Sequence, residues 1–135
     1  MAGNKKPTKK YRPREVVKPL NIRNVWDTEG DIHAALLAME DGSFGSSHIA
    51  NLAAHAQIMM HIHEDGPIHI QSKSMIRMIK IIASRPDMHV TRNEELPIRA
   101  AVKVTLPALI AASNLAIYRA STTAMHVAEK NGGYL

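Results

Sequence analysis

The residues with the most evident chemical potential in this 135-residue chain are its eight histidines. His55, His61 and His63 precede the acidic pair Glu64 and Asp65, and these residue types are common zinc ligands. Two histidines of one helix bind a single metal ion when they are four residues apart, because that spacing places both rings on one face. No two histidines of the chain have this spacing. The sequence therefore predicts no metal site and no cofactor.

Other catalytic patterns are also missing from the sequence. The carboxylates stand at predicted helix ends, where capping and helix-dipole interactions account for them. The chain has no cysteine, which excludes thiol catalysis and disulfides. The glycines of DGSFGSS precede a predicted helix, but a Walker loop also needs a lysine, which this segment lacks. We expect no enzymatic activity, and a small enzyme without a recognisable motif stays the least favoured alternative.

Positive charge is concentrated in the first 23 residues. This segment holds eight basic side chains and one acidic side chain, a net charge of +7, whereas the rest of the chain holds nine basic and eleven acidic ones, a net charge of −2. Because three prolines interrupt any helix, residues 1–24 are predicted to form a flexible basic arm ahead of a helical domain at 25–135. Such an arm is typical of an electrostatic contact with nucleic acid, with an acidic partner protein or with the protein's own surface.

A second set of cations lies in the third predicted helix. Lys73, Arg77 and Lys80 fall on one side of it, since successive residues are about 100° apart. A solvated helix face would explain this pattern equally well. The short turn HEDGP before this helix also permits a helix-turn-helix, but the helix begins with few side chains that read bases. The residues predicted to bind nucleic acid, either DNA or RNA, are Lys5, Lys6, Lys9, Lys10, Tyr11, Arg12, Arg14, Lys73, Arg77 and Lys80.

Turn and capping residues predict two helices in the first half of the body, and the scarcity of aromatic residues favours helices throughout. The first helix begins at Asp27 or Thr28, either of which can be its N-cap, and ends at Gly42. The second is capped by one of the serines 46–47 and ends before Gly66. Its predicted buried face consists of Ile49, Leu52, Ala53, Ala56, Met60 and His63.

The third predicted helix extends from about Ile68 to Ser84, between two prolines. The side that it buries is predicted to consist of Ser72, Met75, Ile76, Ile79 and Ile82. The following residues, 88–105, combine helix-start signals around Asn93 with β-branched residues, so the sequence favours a helix there without excluding a strand.

A break or a kink is predicted at Pro107, with Thr105 able to cap a new last helix. This last helix carries alanine at every fourth position, and such a row of small side chains forms a groove that lets another helix approach closely. A helix of the same chain or the same row of a second copy could fill the groove, and the second case gives a homodimer. The row consists of Ala108, Ala112, Ala116, Ala120, Ala124 and Ala128.

The segment from Leu106 to Ala128 approaches the length of a membrane span, but Asn114, Arg119 and His126 make it unsuited to cross a bilayer. The basic start is not followed by the apolar stretch of a signal peptide. We therefore expect no membrane partner and a cytoplasmic location.

The opening KKYRPR, followed by VVKPL and then by a helix after a Gly-Ser stretch, resembles a group of small, mostly helical proteins from phages and prophages of Gram-negative bacteria. The resemblance covers the start of the chain well and the rest only as an order of helices. It implies a phage accessory protein that acts in the cytoplasm of a bacterial host on DNA, RNA or a host protein. It assigns no role to any residue.

The predicted fold class is all-α: a compact bundle of four or five helices with a basic, proline-containing N-terminal arm. The predicted function is that of a non-catalytic phage or mobile-element protein that binds nucleic acid with little sequence specificity. The alternative is a helical interaction module that inhibits or redirects a host protein, with Met59, Met60, Met75 and Met78 as adaptable contact residues. A homo-oligomer is compatible with either function.

Overall fold

Five α-helices account for most of the described chain. The computed structural model describes the backbone of residues 22–135 and the side chains of residues 28–135, and this part contains no β-strand. The helices are α1 (Ile22–Asp41), α2 (Ser46–Ile62), α3 (Gly66–Ala83), α4 (Arg92–Ala111) and α5 (Asn114–Asn131). The predicted all-α fold is confirmed. The predicted arm lies outside the described residues except for its last three, which belong to α1.

The first four helices form an up-and-down bundle, because short connections make successive helices antiparallel. α2 packs between α1 and α3, and α4 packs against α3 and, less closely, against α1. The guanidinium of Arg99 in α4 donates a hydrogen bond to the backbone carbonyl of Leu36 in α1 at 2.8 Å. The beginning of α4 therefore lies beside the end of α1. α5 turns back and packs on the outer side of α2.

The bounds of α1 and α3 differ from the predicted ones mainly at the start. α1 begins at Ile22 rather than near Asp27, since no proline or glycine in the intervening sequence interrupts a helix. It ends at Asp41, as predicted, and Gly42 takes the positive φ of 83° that follows. α3 begins at Gly66, two residues before the predicted start, with Asp65 in the N-cap position.

α3 buries the face that the sequence predicted. All five predicted residues of that face are buried, with exposed fractions of 8% or less. α2 departs from its prediction, because His55 and Met59 are buried in place of His63 and Met60. The reason is that α2 packs against each of the other four helices, so its buried surface is wider than one stripe.

The predicted cap of α2 is wrong. The helix begins at Ser46, but the N-cap position is Gly45, and neither serine acts as the cap. The backbone N–H of Gly45 donates instead to Nδ1 of His48 at 3.0 Å, and the ring of His48 stacks on Phe44. A ring nitrogen thus replaces the carboxylate that usually reaches back to the cap in a capping box.

The predicted break at Pro107 is also wrong. α4 passes through Pro97 and Pro107 and ends at Ala111. Thr105, predicted as a cap, is fully buried in the middle of the helix. Pro107 lacks a backbone N–H and so removes one hydrogen bond of α4, about one turn before the helix ends. Its ring is exposed to solvent. The packing of the neighbouring buried residues therefore keeps the helix continuous.

The alanine row does not lie on one helix. Ala108 belongs to α4, Ala112 lies in the connection, and the other four alanines are in α5. Ser113 interrupts the row because it caps α5, its hydroxyl accepting a hydrogen bond from the backbone N–H of Ala116 at 3.1 Å. Ala120 and Ala124 are buried within the single chain, on the helix that packs against α2. A homodimer through the row stays a prediction.

None of the helices within the described part of the chain combines the length and the apolarity needed to span a membrane.

The cap of α5 gives a direct test of the connection between α4 and α5. We expect Ser113→Ala to lower the free energy of unfolding by about 1 kcal/mol, since it removes the acceptor of an N-terminal backbone N–H. Ser46→Ala is the matched control, because Ser46 is exposed and is not the cap of α2. Urea unfolding followed by circular dichroism measures both. An equal loss in the two variants would contradict the assigned caps.

Candidate nucleic-acid interface

The outer face of α3 carries the predicted cationic stripe, which consists of Lys73, Arg77 and Lys80. All three side chains are exposed. Their position follows from the opposite face of α3, since burying Ser72 and the four apolar residues on that side fixes the rotation of the helix. The first and last residues of the stripe are seven positions apart, which is about 10 Å along the helix axis.

Most other arginines of the body form ion pairs, whereas the stripe residues form none with a described side chain. Arg85 bonds to both carboxylate oxygens of Glu94, and Arg92 lies 3.5 Å from the carboxylate of Glu95. Arg99 contacts two carboxylates from two helices. The stripe residues, in contrast, make no ion pair within residues 28–135. Their charge is therefore not neutralised by any described side chain.

Other unpaired cations do not form a second stripe. Lys103, Arg119 and Lys130 are exposed and also make no ion pair with a described side chain. Lys103 is in α4, and the other two are eleven residues apart in α5. Three cations within two turns occur in the described chain only on α3.

Large apolar side chains stand at both ends of the stripe. Ile70 is 64% exposed and Ile81 is 49% exposed. With Lys73 and Arg77 between them, these residues recur at intervals of three or four and so share the outer face of α3. A partner that covers this face would therefore meet positive charge in the middle and apolar surface at the ends.

The arm joins the body at the end where α3 begins. α1 and α3 are both antiparallel to α2, so their first residues lie at the same end of the bundle. The arm residues of the predicted site lie outside the described residues. A chain of 21 residues can extend over about 70 Å, which is several times the diameter of a helix. Its length therefore allows the arm to reach the stripe.

The histidines that suggested a metal site are separated by the fold. His55 points into the core, and its exposed fraction is 2%, whereas His61 and His63 are half-buried near the end of α2. Nδ1 of His69 lies 2.9 Å from the carbonyl oxygen of His63. Among the described residues, no three histidine or acidic side chains lie close enough together to hold a metal ion.

His55 forms the polar centre of the core instead. Its Nε2 shares a hydrogen bond of 2.9 Å with Oγ1 of Thr105, which joins α2 to α4. Its Nδ1 has no hydrogen-bond partner among the described residues. Desolvation lowers the pKa of His55 from 6.5 to about 4, because burial disfavours the charged ring. Periodicity could not reveal this role, since a buried and an exposed histidine look the same in the sequence.

The methionines predicted as adaptable contact residues belong to the core. Met59 and Met75 are fully buried. Met60 and Met78 are partly buried and pack against the same cluster. These side chains fill space between helices and do not form a contact surface.

No family model, no curated protein and no solved structure matches this chain. The function is therefore inferred from the fold and the stripe.

Protonation of His55 gives the next prediction. The folded state holds this group at a pKa of about 4, whereas the unfolded state has the ordinary value of 6.5. The unfolded state therefore binds the proton more readily as the pH falls below about 6.5, and stability is lost progressively towards about pH 4. We expect the loss from this group to be about 2 to 3 kcal/mol between about pH 7 and about pH 4.5.

Urea unfolding at a series of pH values tests this expectation in the full chain and in His55→Gln. The variant is less stable at neutral pH, but its stability depends less on pH, since the titrating group is gone. His33→Gln, at an exposed position of α1, is the control and keeps the parent's pH dependence. If His55→Gln retained the full pH dependence, the assignment to His55 would be wrong.

Proposed function

We propose that this protein binds nucleic acid through phosphate contacts, with the stripe of α3 and the basic arm as its cationic groups. The observation that supports the proposal is the unpaired state of Lys73, Arg77 and Lys80 on one exposed face. Three adjacent like charges repel one another and gain nothing from the fold that presents them. A bound polyanion would offset this repulsion, because its phosphates attract each of the three cations.

The dimensions of the stripe suit a phosphate backbone. Duplex DNA rises about 3.4 Å per phosphate of one strand. The stripe, about 10 Å long, therefore matches about three phosphate-to-phosphate rises in axial length. The arm adds a run of cations whose attraction to the same backbone is additive, because each neutralised phosphate releases counterions.

Little sequence specificity is expected of such an interface. Specific recognition needs side chains that form paired hydrogen bonds with base edges. The stripe offers two lysines, which act as point charges on phosphates, and one arginine. Its neighbours on the outer face include the apolar Ile70 and Ile81, which form no hydrogen bonds with bases. The origin in a phage or mobile element rests on the N-terminal resemblance alone and stays a prediction.

The second candidate, an interaction module for a host protein, draws support from the same two isoleucines. Exposed apolar side chains can be buried at a protein interface, whereas contacts with phosphates make no use of them. Of the methionines that first suggested this function, however, Met59 and Met75 are in the core, and Met60 and Met78 are partly buried against it. The charge of the face and of the arm favours nucleic acid.

A charge-reversal experiment tests the proposal. We expect the double variant K73E/R77E to bind a fluorescent DNA duplex and a single strand more weakly, with a salt slope smaller by about 2 units on duplex, since each lost phosphate contact removes about 0.9. R119E/K130E is the matched control. It reverses one lysine and one arginine that are also exposed and unpaired, but these lie on α5.

The two variants have the same net charge, so any difference between them measures position rather than total charge. Fluorescence anisotropy over a salt series gives the slopes. Equal losses in the two variants would remove the stripe from the interface. Absence of binding by the full chain at low salt would reject nucleic acid as the partner, and retention of an acidic protein by the full chain would then favour the second candidate.

A further inference from the structure

The seam between α1 and α4 is the open side of the bundle. These two helices pack less closely than the other neighbouring pairs, and a groove of about 970 Å³ lies between them. Its α1 wall includes Glu29, His33 and Leu36. Most of the groove surface is apolar, and its volume leaves space for a further segment of polypeptide.

The α4 wall of the groove has the pattern of a packing face. Its residues recur at intervals of four and three, as in the seam of a coiled coil: Leu96, Ala100, Lys103, Pro107 and Ile110. Leu96 is 49% exposed and Ile110 is 50% exposed. The opposite face of α4 is buried in the bundle core. α4 thus presents two packing faces, of which the described chain covers one.

Ion pairs close one end of the groove. Arg99 contacts the carboxylate of Glu40 at 2.9 Å and that of Glu95, and it also bonds to the carbonyl of Leu36. This network joins the end of α1 to the beginning of α4. The other end of the groove lies near Ile110, on the side of the bundle where α1 begins and where the preceding residues enter the body.

A second copy of the chain is a poor occupant. The packing face of α4 is centred on Lys103, so a two-fold axis through its middle would bring Lys103 of one copy against Lys103 of the other. Lys103 makes no ion pair with a described side chain that would neutralise it. Like charges facing each other in an apolar interface oppose association.

We propose that the groove binds residues 15–20 of the same chain, which have the sequence EVVKPL. This segment combines the apolar Val16, Val17 and Leu20 with one acidic and one basic side chain. It directly precedes α1 and holds the single acidic residue of the arm, Glu15. Its proline suits an extended backbone rather than a helix.

The length of the segment allows it to reach the middle of the groove. Thr28 and Leu109 line one small cavity and so lie at the same level of the bundle. From that level, Ile22 is about 9 Å away in one direction and Lys103 about 9 Å away in the other, at about 1.5 Å per helical residue. An extended chain covers the resulting 18 Å, roughly, with about six residues at about 3.3 Å each. A segment that turns back at Ile22 therefore reaches Lys103 with residue 15 or 16.

The order of charges fits the same placement. Successive side chains of an extended segment point in opposite directions, so Glu15 and Lys18 face opposite walls of the groove. With Glu15 at the level of Lys103 on the α4 wall, Lys18 lies near the level of Glu29 on the α1 wall. Each charge of the segment thus meets an opposite charge. Val17 faces the apolar α4 wall with Glu15. Val16 faces the α1 wall with Lys18.

This docking fixes where the basic residues 5–14 leave the body. They would extend from the middle of α4, the helix that packs beside α3 in the bundle, whereas the cationic stripe lies on the exposed face of α3. The inference concerns the chain's own contacts and does not depend on nucleic-acid binding, because its test contains no nucleic acid. It gives the open seam an occupant that every molecule carries.

Paramagnetic NMR on the full chain tests the proposal. The chain has no cysteine, so Arg14→Cys provides a unique position for a nitroxide label next to the docked segment. We expect the methyl signals of Leu96 and Leu36, at the far end of the groove, to lose most of their intensity. Those of Ile70 on α3 and Val127 on α5 should keep theirs, because the broadening falls steeply with distance.

Two further sets of variants in the labelled protein test the contacts. Val17→Asp should restore the Leu96 signal, since it places a charge in the apolar groove, whereas the control Val127→Asp, at an exposed position of α5, should leave the broadening unchanged. Lys103→Glu should weaken the broadening, and Glu15→Lys added to it should bring the broadening back.

Three results would overturn the proposal. Uniform or absent broadening means that the segment does not dock, and broadening centred on α3 or α5 means that it docks elsewhere. In a mixture of isotope-labelled chains that carry no nitroxide with chains that carry the nitroxide, broadening of the isotope-labelled signals places the segment on a second copy. Loss of nucleic-acid binding in a separate assay leaves each of these readouts unchanged, so the two proposals fail independently.

Discussion

The burial of α2 is the constraint on which the rest of the fold depends. This helix packs against each of the other four, and its residues from Ile49 to Met59 supply much of the core. His55 lies on the buried surface of this helix, where loss of hydration disfavours the charged ring. The ring is therefore neutral, and it shares a hydrogen bond with Thr105. That bond joins α2 to α4 across the bundle, and the surrounding aliphatic side chains fix its geometry.

The closed core determines where the charges go. Arg85 and Glu94 join the end of α3 to the start of α4, and they hold the pKa of Glu94 at about 2 and raise that of Arg85. The Arg99 network joins the start of α4 to the end of α1. Both sets of ion pairs lie at helix ends, where carboxylates and guanidinium groups of different helices come within reach. The outer face of α3 is too far from any described carboxylate for an ion pair, and its cations stay available to a partner.

The sequence predicted the parts of this structure that depend on one helix alone. α3 faces the core on one side, so a single stripe described its buried face and, on the opposite side, the cationic one. α2 is covered from several directions, and a single stripe therefore missed Met59 and His55. Pro107 and the alanine row misled because a break requires the loss of packing as well as a proline, and because Ser113 ends the row with a cap of its own. The ion pair between α1 and α4 was not predictable, since Arg99 and Glu40 are 59 residues apart in the chain.

The two unsatisfied surfaces of the body suggest different roles for the two halves of the arm. The stripe of α3 needs negative charge, which residues 5–14 cannot supply, because that run contains six cations and no acidic residue. The seam beside α4 needs apolar surface with one charge of each sign, which is the composition of residues 15–20. The composition of the near half thus complements the seam, whereas the far half carries the same sign of charge as the stripe. If the near half is held by the body, the far half adds its cations to those of the stripe, and both sets favour a polyanionic partner.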